Sequence, residues 1–304
     1  MKTVCILLST YNGEKYLDEQ LHSLRLQKNV CSFLIIRDDG SSDSTISIIE
    51  KWQQRYPEWI LLIKGKNIGF VSSFTELLTI ALKKFPHVQY FSFCDQDDVW
   101  LENKLSTAIS YLSEYSDNLP TLYFSNLTVV DANLNKICLF WKQDEVRVSK
   151  HGALVQNFAP GCTEVFNRKA AETYITHYPK CVPFHDYLMF QICTFLGQVI
   201  YDPSSYILYR QHGNNQVGKK TRFQRYISFL KKPISKGTCQ QYVEAFCEAY
   251  KSELTINDLL IICKLLNYKN DFLCRLSLIF DRKIKFTNLE SNLLLKLKIL
   301  MGWL

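Results

Sequence analysis

Short apolar runs alternate with amphipathic segments through the first 115 residues, and few architectures other than a layered α/β sheet absorb that rhythm. Strand-like runs fall at 3–9, 33–37, 60–63 and 89–94, and helical patterns follow them near 14–27, 43–55, 70–84 and 101–115. Leu17, Leu21 and Leu24 share one face of the first helix, and Ser42 or Asp43 is placed to cap the second. Repeated βα units predict a parallel sheet with helices on both faces, which binds ligands at the carboxyl ends of its strands.

Three of those ends carry polar loops. The fourth strand runs into Cys94-Asp95-Gln96-Asp97-Asp98-Val99-Trp100, where three carboxylates crowd into four residues. Hard oxygen ligands at a strand end suit Mg²⁺ or Mn²⁺ completed by substrate phosphates; the alternative is a solvated acidic turn. An EF-hand is disfavoured because the loop lacks its glycine and its closing glutamate. The loops after strands one and two are Ser9-Thr10-Tyr11-Asn12-Gly13-Glu14 and Arg37-Asp38-Asp39-Gly40-Ser41-Ser42-Asp43. Neither has the glycine spacing of a dinucleotide fingerprint or a P-loop. A carboxylate there can accept a pyrimidine imide N–H while Tyr11 stacks on the ring. Both loops read equally well as polar turns, and Asp39-Gly40 is a turn signal in its own right.

Beyond Pro120, residues 121–131 and 198–209 read as strands, and a helix near 184–196 opens on Phe184-His185-Asp186-Tyr187 with an acid in its first turn. From 213 onward the pattern is helical and basic. Residues 213–304 hold 16 of the 36 Lys and Arg but only 7 of the 29 Asp and Glu, in a chain of net charge +7. The stretches Lys219–Lys232 and Asn292–Leu304 suit helices lying on an anionic membrane surface, or packed helices with snorkelling lysines. No recognised motif supports nucleic acid as a partner. Eleven cysteines without a Cys-x-x-Cys fit neither a zinc framework nor a disulfide scaffold, and imply a reducing cytosol. The apolar run after Met1 reads as the first strand, not a signal peptide.

Ser9-Thr10-Tyr11-Asn12, Asp38-Asp39-Gly40-Ser41-Ser42-Asp43, Asn67-Ile68-Gly69-Phe70 and Asp95-Gln96-Asp97-Asp98, in that order, resemble the family 2 inverting glycosyltransferases of the GT-A fold. The resemblance spans residues 1 to about 216. It is closest to bacterial rhamnosyltransferases, through the Cys94–Trp100 segment, Gly161-Cys162-Thr163, Phe166-Asn167-Arg168, His185-Asp186 and Tyr209-Arg210-Gln211-His212-Gly213-Asn214-Asn215. It implies a nucleotide-binding domain over 1–216 with a mostly parallel central sheet. The donor half would be about 1–115 and the acceptor half about 116–216, followed by a basic helical region over 217–304.

The resemblance also assigns roles. Thr10, Tyr11, Asn12, Glu14, Asp38, Asp39, Asn67, Asp95 and Gln96 would hold a dTDP- or UDP-linked sugar. Asp97 and His212 would hold Mg²⁺ or Mn²⁺, and Asp98 would assist or face a lysine. Asp186 would be the general base, with Trp100, Gly161, Cys162 and His185 on the acceptor side. Read without the family, His185 fits a satisfied packing or helix-start histidine better than a catalytic one. The branch often has Trp where this chain has Tyr187. The implied reaction transfers L-rhamnose from dTDP-rhamnose, or a hexose from a UDP or dTDP donor, to a lipid-linked saccharide. The implied setting is surface-polysaccharide assembly at the cytoplasmic face of the membrane. A sugar nucleotidyltransferase would need a Gly-rich basic loop that residues 9–14 lack. A non-enzymatic carbohydrate- or membrane-binding module is the competing class.

Overall fold

The computed structural model describes residues 1–142, 145–212, 239–285 and 289–303. Its strands are β1 (Thr3–Thr10), β2 (Cys31–Asp38), β3 (Ile60–Lys64), β4 (Tyr90–Cys94), β5 (Val99–Trp100), β6 (Thr121–Val130), β7 (Lys136–Leu139), β8 (Val165–Asn167) and β9 (Gln198–Arg210). They form one sheet in the order β3-β2-β1-β4-β8-β6-β9-β5, with β7 paired to β6. The ladders β1–β2, β1–β4, β2–β3 and β6–β9 are parallel, while β8 runs antiparallel to β4 and β6. The parallel expectation therefore holds through β4 and again for the long β6–β9 ladder, while the short β5, β7 and β8 pair antiparallel.

Period-two alternation distributes the strands between two cores. Cys5, Leu7, Ile35, Phe91 and Phe93 face a core shared with α3 (Phe70–Lys84), α6 (Arg168–Thr176) and α7 (His185–Leu196). Val4, Ile6, Leu8, Leu34, Ile36 and Cys94 face a second core under α1 (Leu17–Arg25), α2 (Thr45–Arg55) and α4 (Lys104–Leu112). Burial on both faces is why these runs are continuously apolar. Helix α1 starts later than its pattern suggests because Tyr16 and Leu17 N–H close a turn on Gly13 O at 3.2 and 3.1 Å. Helix α4 starts later because Val99 and Trp100 are drawn into β5, opposite Leu208 and Ile207. The residue entering α2 is Ser44, whose side chain makes no cap; Asp43 Oδ1 accepts Thr45 N–H at 3.0 Å instead.

A short α5 (Lys150–Ala153) precedes β8, and α8 (Cys239–Tyr250), α9 (Ile256–Asn267), α10 (Phe272–Phe280) and α11 (Leu289–Met301) end the described chain. Phe246, Tyr250, Leu265, Leu278 and Leu295 extend the first core, with Phe246 packed on Phe195 at 5.3 Å between ring centroids. Lys150 pairs with Asp258 and His151 with Asp281, each at 2.9 Å. The Lys219–Lys232 stretch lies outside the described residues. Among the described residues, no helix is long and apolar enough to cross a membrane.

Candidate active site

The carboxyl ends of β1, β2 and β4 lie side by side, with Thr10 opposite Asp38 and Leu8 opposite Cys94, so their loops meet. Asp38 is fully buried: Oδ2 accepts the Thr10 hydroxyl at 3.0 Å and the Ser41 hydroxyl at 2.6 Å, and Oδ1 accepts the Gly40 and Ser41 N–H groups. Asp39, also buried, binds Arg37 Nη1 at 2.5 Å and accepts the Ile68 and Gly69 N–H groups at the start of α3. The helix dipole there favours its charge. Asp38 has filled its acceptor sites and Asp39 nearly so, so both shape the loops from beneath. Asn67 stays exposed, its Oδ1 receiving Gly69 N–H at 3.2 Å.

Tyr11, 48% exposed, presents its ring outward while Gln96 clamps its backbone. Gln96 Oε1 accepts Tyr11 N–H at 2.9 Å and Gln96 Nε2 donates to Tyr11 O at 3.1 Å, locking the first loop to the acidic one. A Cβ on Gly13 would sit 2.3 Å from Gln96 Oε1, so the clamp requires glycine there. Asn12 adopts φ 48°, a left-handed conformation that asparagine tolerates, and its Oδ1 accepts Ser42 N–H. Glu14 Oε2 accepts Ser44 N–H at 2.9 Å, tying the same two loops.

The acidic loop divides its carboxylates by environment. Asp97 Oδ2 lies 2.8 Å from His212 Nε2, both largely buried. Asp95, half-buried, has its pKa pushed up to about 7 by desolvation and by the charges of Asp97 and Asp186. Asp98 is fully buried; Oδ1 accepts Arg210 N–H at 3.1 Å, and Oδ2 meets no nitrogen or oxygen donor and faces the Cys162 thiol. Burial and the neighbouring carboxylates raise its pKa well above the usual range.

A divalent ion fits Asp97 and His212. Neighbouring octahedral ligands, each about 2.1 Å from Mg²⁺ or Mn²⁺, stand about 3 Å apart, close to the separation here. Among the described residues, a further cluster of ligating atoms is Asp95, Asp98 and Cys162, within 4.8 Å of one another. It fits a hard cation poorly, because burial holds the Cys162 thiol protonated and the thiol is soft.

Asp186 stands in the first turn of α7. Its Oδ2 accepts Gly161 N–H at 3.0 Å, its Oδ1 accepts Tyr187 N–H at 2.8 Å, and the Asn157 side chain bonds to it. Desolvation outweighs these bonds and raises its pKa to about 6, a poised value for a base. His185 is buried with neither ring nitrogen bonded, stacked on Phe74 at 3.9 Å and edge-on to Phe93. Burial lowers its pKa to about 3, so it packs as a neutral ring. Trp100 is buried in the second core, its ring covered by the Lys104 ammonium at 3.5 Å, so it supports the acidic loop from below. Cys162 is buried beside Asp98.

Sequence reasoning assigned no role to Arg210, Arg37 or Lys104. Arg210 is 2% exposed; it donates to Asp97 O at 2.9 Å and Ala132 O at 2.7 Å, pairs with Glu19 and lies over the Tyr16 ring. It fastens the acidic loop to β9. Lys104, fully buried, donates to Ser92 Oγ at 3.1 Å, and desolvation lowers its pKa to about 7 against the opposing pull of Cys94, Cys162, Asp98 and Glu164. Asp98 thus has a lysine near it, one of the two roles that the resemblance implied for it. The one available signal was the Tyr-Arg-Gln-His run, which carried the resemblance without revealing what its arginine holds.

Residues 5–175 match the family model described as Glycosyl transferase family 2. The dTDP-rhamnosyl transferase RfbG of Shigella flexneri is 30% identical over 226 residues, 71% of this chain and 75% of that protein. S. aureus TarS 1–349, solved with UDP-GlcNAc, aligns over 99% of this chain and 92% of its own at TM-score 0.54 and 14% identity. Mannosyltransferase PcManGT from Pyrobaculum calidifontis, solved with GDP-Man and Mn²⁺, aligns over 98% and 80% at TM-score 0.51 and 16% identity. At such identities the two structures speak for the GT-A fold alone.

Proposed function

The chain belongs to glycosyl transferase family 2, and we propose that within it the protein transfers L-rhamnose from dTDP-rhamnose to a lipid-linked saccharide, with inversion, in surface-polysaccharide assembly. The observation that carries this reading is Asp186: a half-buried carboxylate with its pKa raised to about 6, close enough to raise the pKa of Asp95. The relative named as a dTDP-rhamnosyl transferase supports the donor.

The base would stack on Tyr11 and the ribose would lie against the loop fixed by Gln96. Asp95 would approach the sugar. Asp97 and His212 would hold Mg²⁺ or Mn²⁺, which, when bound, stabilises negative charge on the leaving diphosphate. Asp186 would take the proton of the acceptor hydroxyl as its oxygen bonds to the anomeric carbon. The opposite carbon–oxygen bond breaks, and its electron pair leaves with the diphosphate. The N–H groups of Gly161 and Tyr187 keep the carboxylate aimed, and a carboxylate so placed as proton acceptor contributes on the order of 10²–10⁴-fold.

The test is melting-temperature shift and turnover with dTDP-rhamnose and a panel of UDP and dTDP sugars, with and without Mn²⁺. Asp97→Ala should abolish the Mn²⁺-dependent donor shift. Asp186→Asn should keep the shift and lose transfer; full transfer in that variant would remove Asp186 as the base. A shift with UDP sugars alone would replace the donor, and no shift with any would favour a non-enzymatic binding module.

A further inference from the structure

A cavity of about 370 Å³ opens between the segment around α5 and the C-terminal helices. Arg147 enters it from one side, and Arg282, Lys283 and Lys285 from the α10–α11 connection. None of these four is paired with a carboxylate among the described residues, whereas neighbouring Lys150 and His151 are bonded to Asp258 and Asp281. Glu145, the one acid among the described lining residues, is engaged by the Lys142 N–H at 2.9 Å. Among the described lining residues four cations face one carboxylate; such a concave set selects an anion, and phosphate offers the acceptor oxygens it recognises.

The walls are fixed. Asp281 binds His151 through its carboxylate and accepts Lys296 Nζ through its carbonyl at 2.9 Å, tying the basic segment to both α5 and α11. Next to Gly152 of the lining, Ala153 O accepts the Tyr187 hydroxyl at 2.9 Å and Gln191 Nε2 at 3.1 Å, which links α5 to the helix that carries Asp186. Asn157, which bonds to Asp186, is adjacent in the chain to Phe158 of the cavity lining.

The surroundings define the anion further. Asn292 of α11 lines the cavity, and the exposed Leu293, Leu297, Leu300 and Met301 follow at i, i+4, i+7 and i+8, one apolar stripe. Phe280, 77% exposed, stands two residues before Arg282. A cationic socket at the head of an uncovered apolar stripe matches an amphiphile with a phosphate head and a hydrocarbon tail. We propose that this cavity binds the phosphate of a phosphorylated lipid, with the hydrocarbon along the outer face of α11. The identification of that lipid as the acceptor's carrier rests on the glycosyltransferase reading above.

The experiment is flotation of the full chain with phosphatidylcholine vesicles, plain or carrying phosphatidylglycerol or polyprenyl phosphate at equal surface charge. Each basic residue contributes about fivefold to anionic-surface binding, so R282A/K283A/K285A should weaken retention roughly a hundredfold. Lys264→Ala, on the exposed side of α9, should retain binding. Preference for polyprenyl phosphate assigns the acceptor carrier; equal retention on both anionic vesicles, lost in the triple variant, assigns a bilayer headgroup. Retention unaffected by the triple variant, or lost equally in Lys264→Ala, overturns the proposal. So does absence of retention on every vesicle, and a melting-temperature shift with inorganic diphosphate in that case would mark a site for soluble phosphate. The Mn²⁺-dependent shift of the wild-type protein with nucleotide sugars tests the transferase reading separately.

Discussion

Gly161→Ala should injure catalysis without touching donor recognition. Gly161 carries no positive φ, so the substitution brings no backbone strain, and restricting the unfolded chain would by itself stabilise by about 0.4–1 kcal/mol. Space decides otherwise. A Cβ there would lie 3.0 Å from His185 Nε2 and 3.2 Å from Asp186 Cβ, a few tenths of an ångström inside ordinary contact. His185 cannot retreat, since Phe74 stacks on it at 3.9 Å and Phe93 closes its edge at 4.6 Å. The start of α7 must move, and the Gly161 N–H bond that aims Asp186 Oδ2 lengthens with it. Overpacking of this kind costs about 1–3 kcal/mol, leaving a net loss of about 1–2 kcal/mol and a melting temperature lower by about 2–4 °C. If a misplacement of 1 Å costs about a hundredfold, one of about 0.4 Å lowers kcat about fivefold to tenfold. The donor KM should stay put, because the loops proposed to hold the nucleotide are built on β1, β2 and β4. Steady-state kinetics over donor concentration, paired with thermal unfolding, decide the matter. A variant that melts higher than wild type with unchanged kcat would refute the packing argument.

Gly13→Ala is the complementary case: its Cβ would fall 2.3 Å from Gln96 Oε1 and break the clamp on Tyr11, so donor KM should rise about tenfold, read from initial rates. The pH profile of kcat should carry an acidic limb near pH 6, where Asp186 protonates and ceases to act as base, provided transfer limits turnover. Because its folded pKa lies above the ordinary carboxylate value, the folded state binds that proton more tightly. Asp186 therefore costs stability progressively as pH rises from about 4 to about 6, and Asp186→Asn should gain in melting temperature relative to wild type across that window. Arg210→Lys cannot reproduce the bonds to Ala132 O and Glu19 together with that to Asp97 O. It should lose about 2–3 kcal/mol in urea unfolding, the worth of hydrogen bonds to a charged group, and need more Mn²⁺ for half-maximal turnover; an unchanged metal requirement would show that the acidic loop holds itself.

What was legible in the sequence depended on how far apart in the chain a feature's parts lie. Strand β4 and its acidic loop are contiguous, and helix α3 was read to its bounds because its fifteen residues carry several turns of one apolar face. Strands β5 and β8 span two and three residues, too few for any period to register, and they exist because β9, β4 and β6 offer open edges to pair with. Asp38 and Asp39 were visible as acids on the correct edge. That both would be buried and committed to Ser41, Thr10, Arg37 and the α3 N-terminus depends on partners up to thirty residues away.

The same logic separates the carboxylates of the acidic loop. Three aspartates within four residues look interchangeable in sequence, yet burial raises the pKa of Asp98 while Asp97 is left facing His212. The difference comes from Arg210 and His212, which lie more than a hundred residues away and approach from the end of β9. Arg210 draws Asp98 inward through its backbone N–H and holds the Asp97 carbonyl with its guanidinium, so the intervening peptide is pinned and the Asp97 side chain must point the other way, towards the sheet edge. If that is the source of the division, the role of each carboxylate is a property of β9 as much as of the loop. Moving the acids along the loop would then fail to move the site with them.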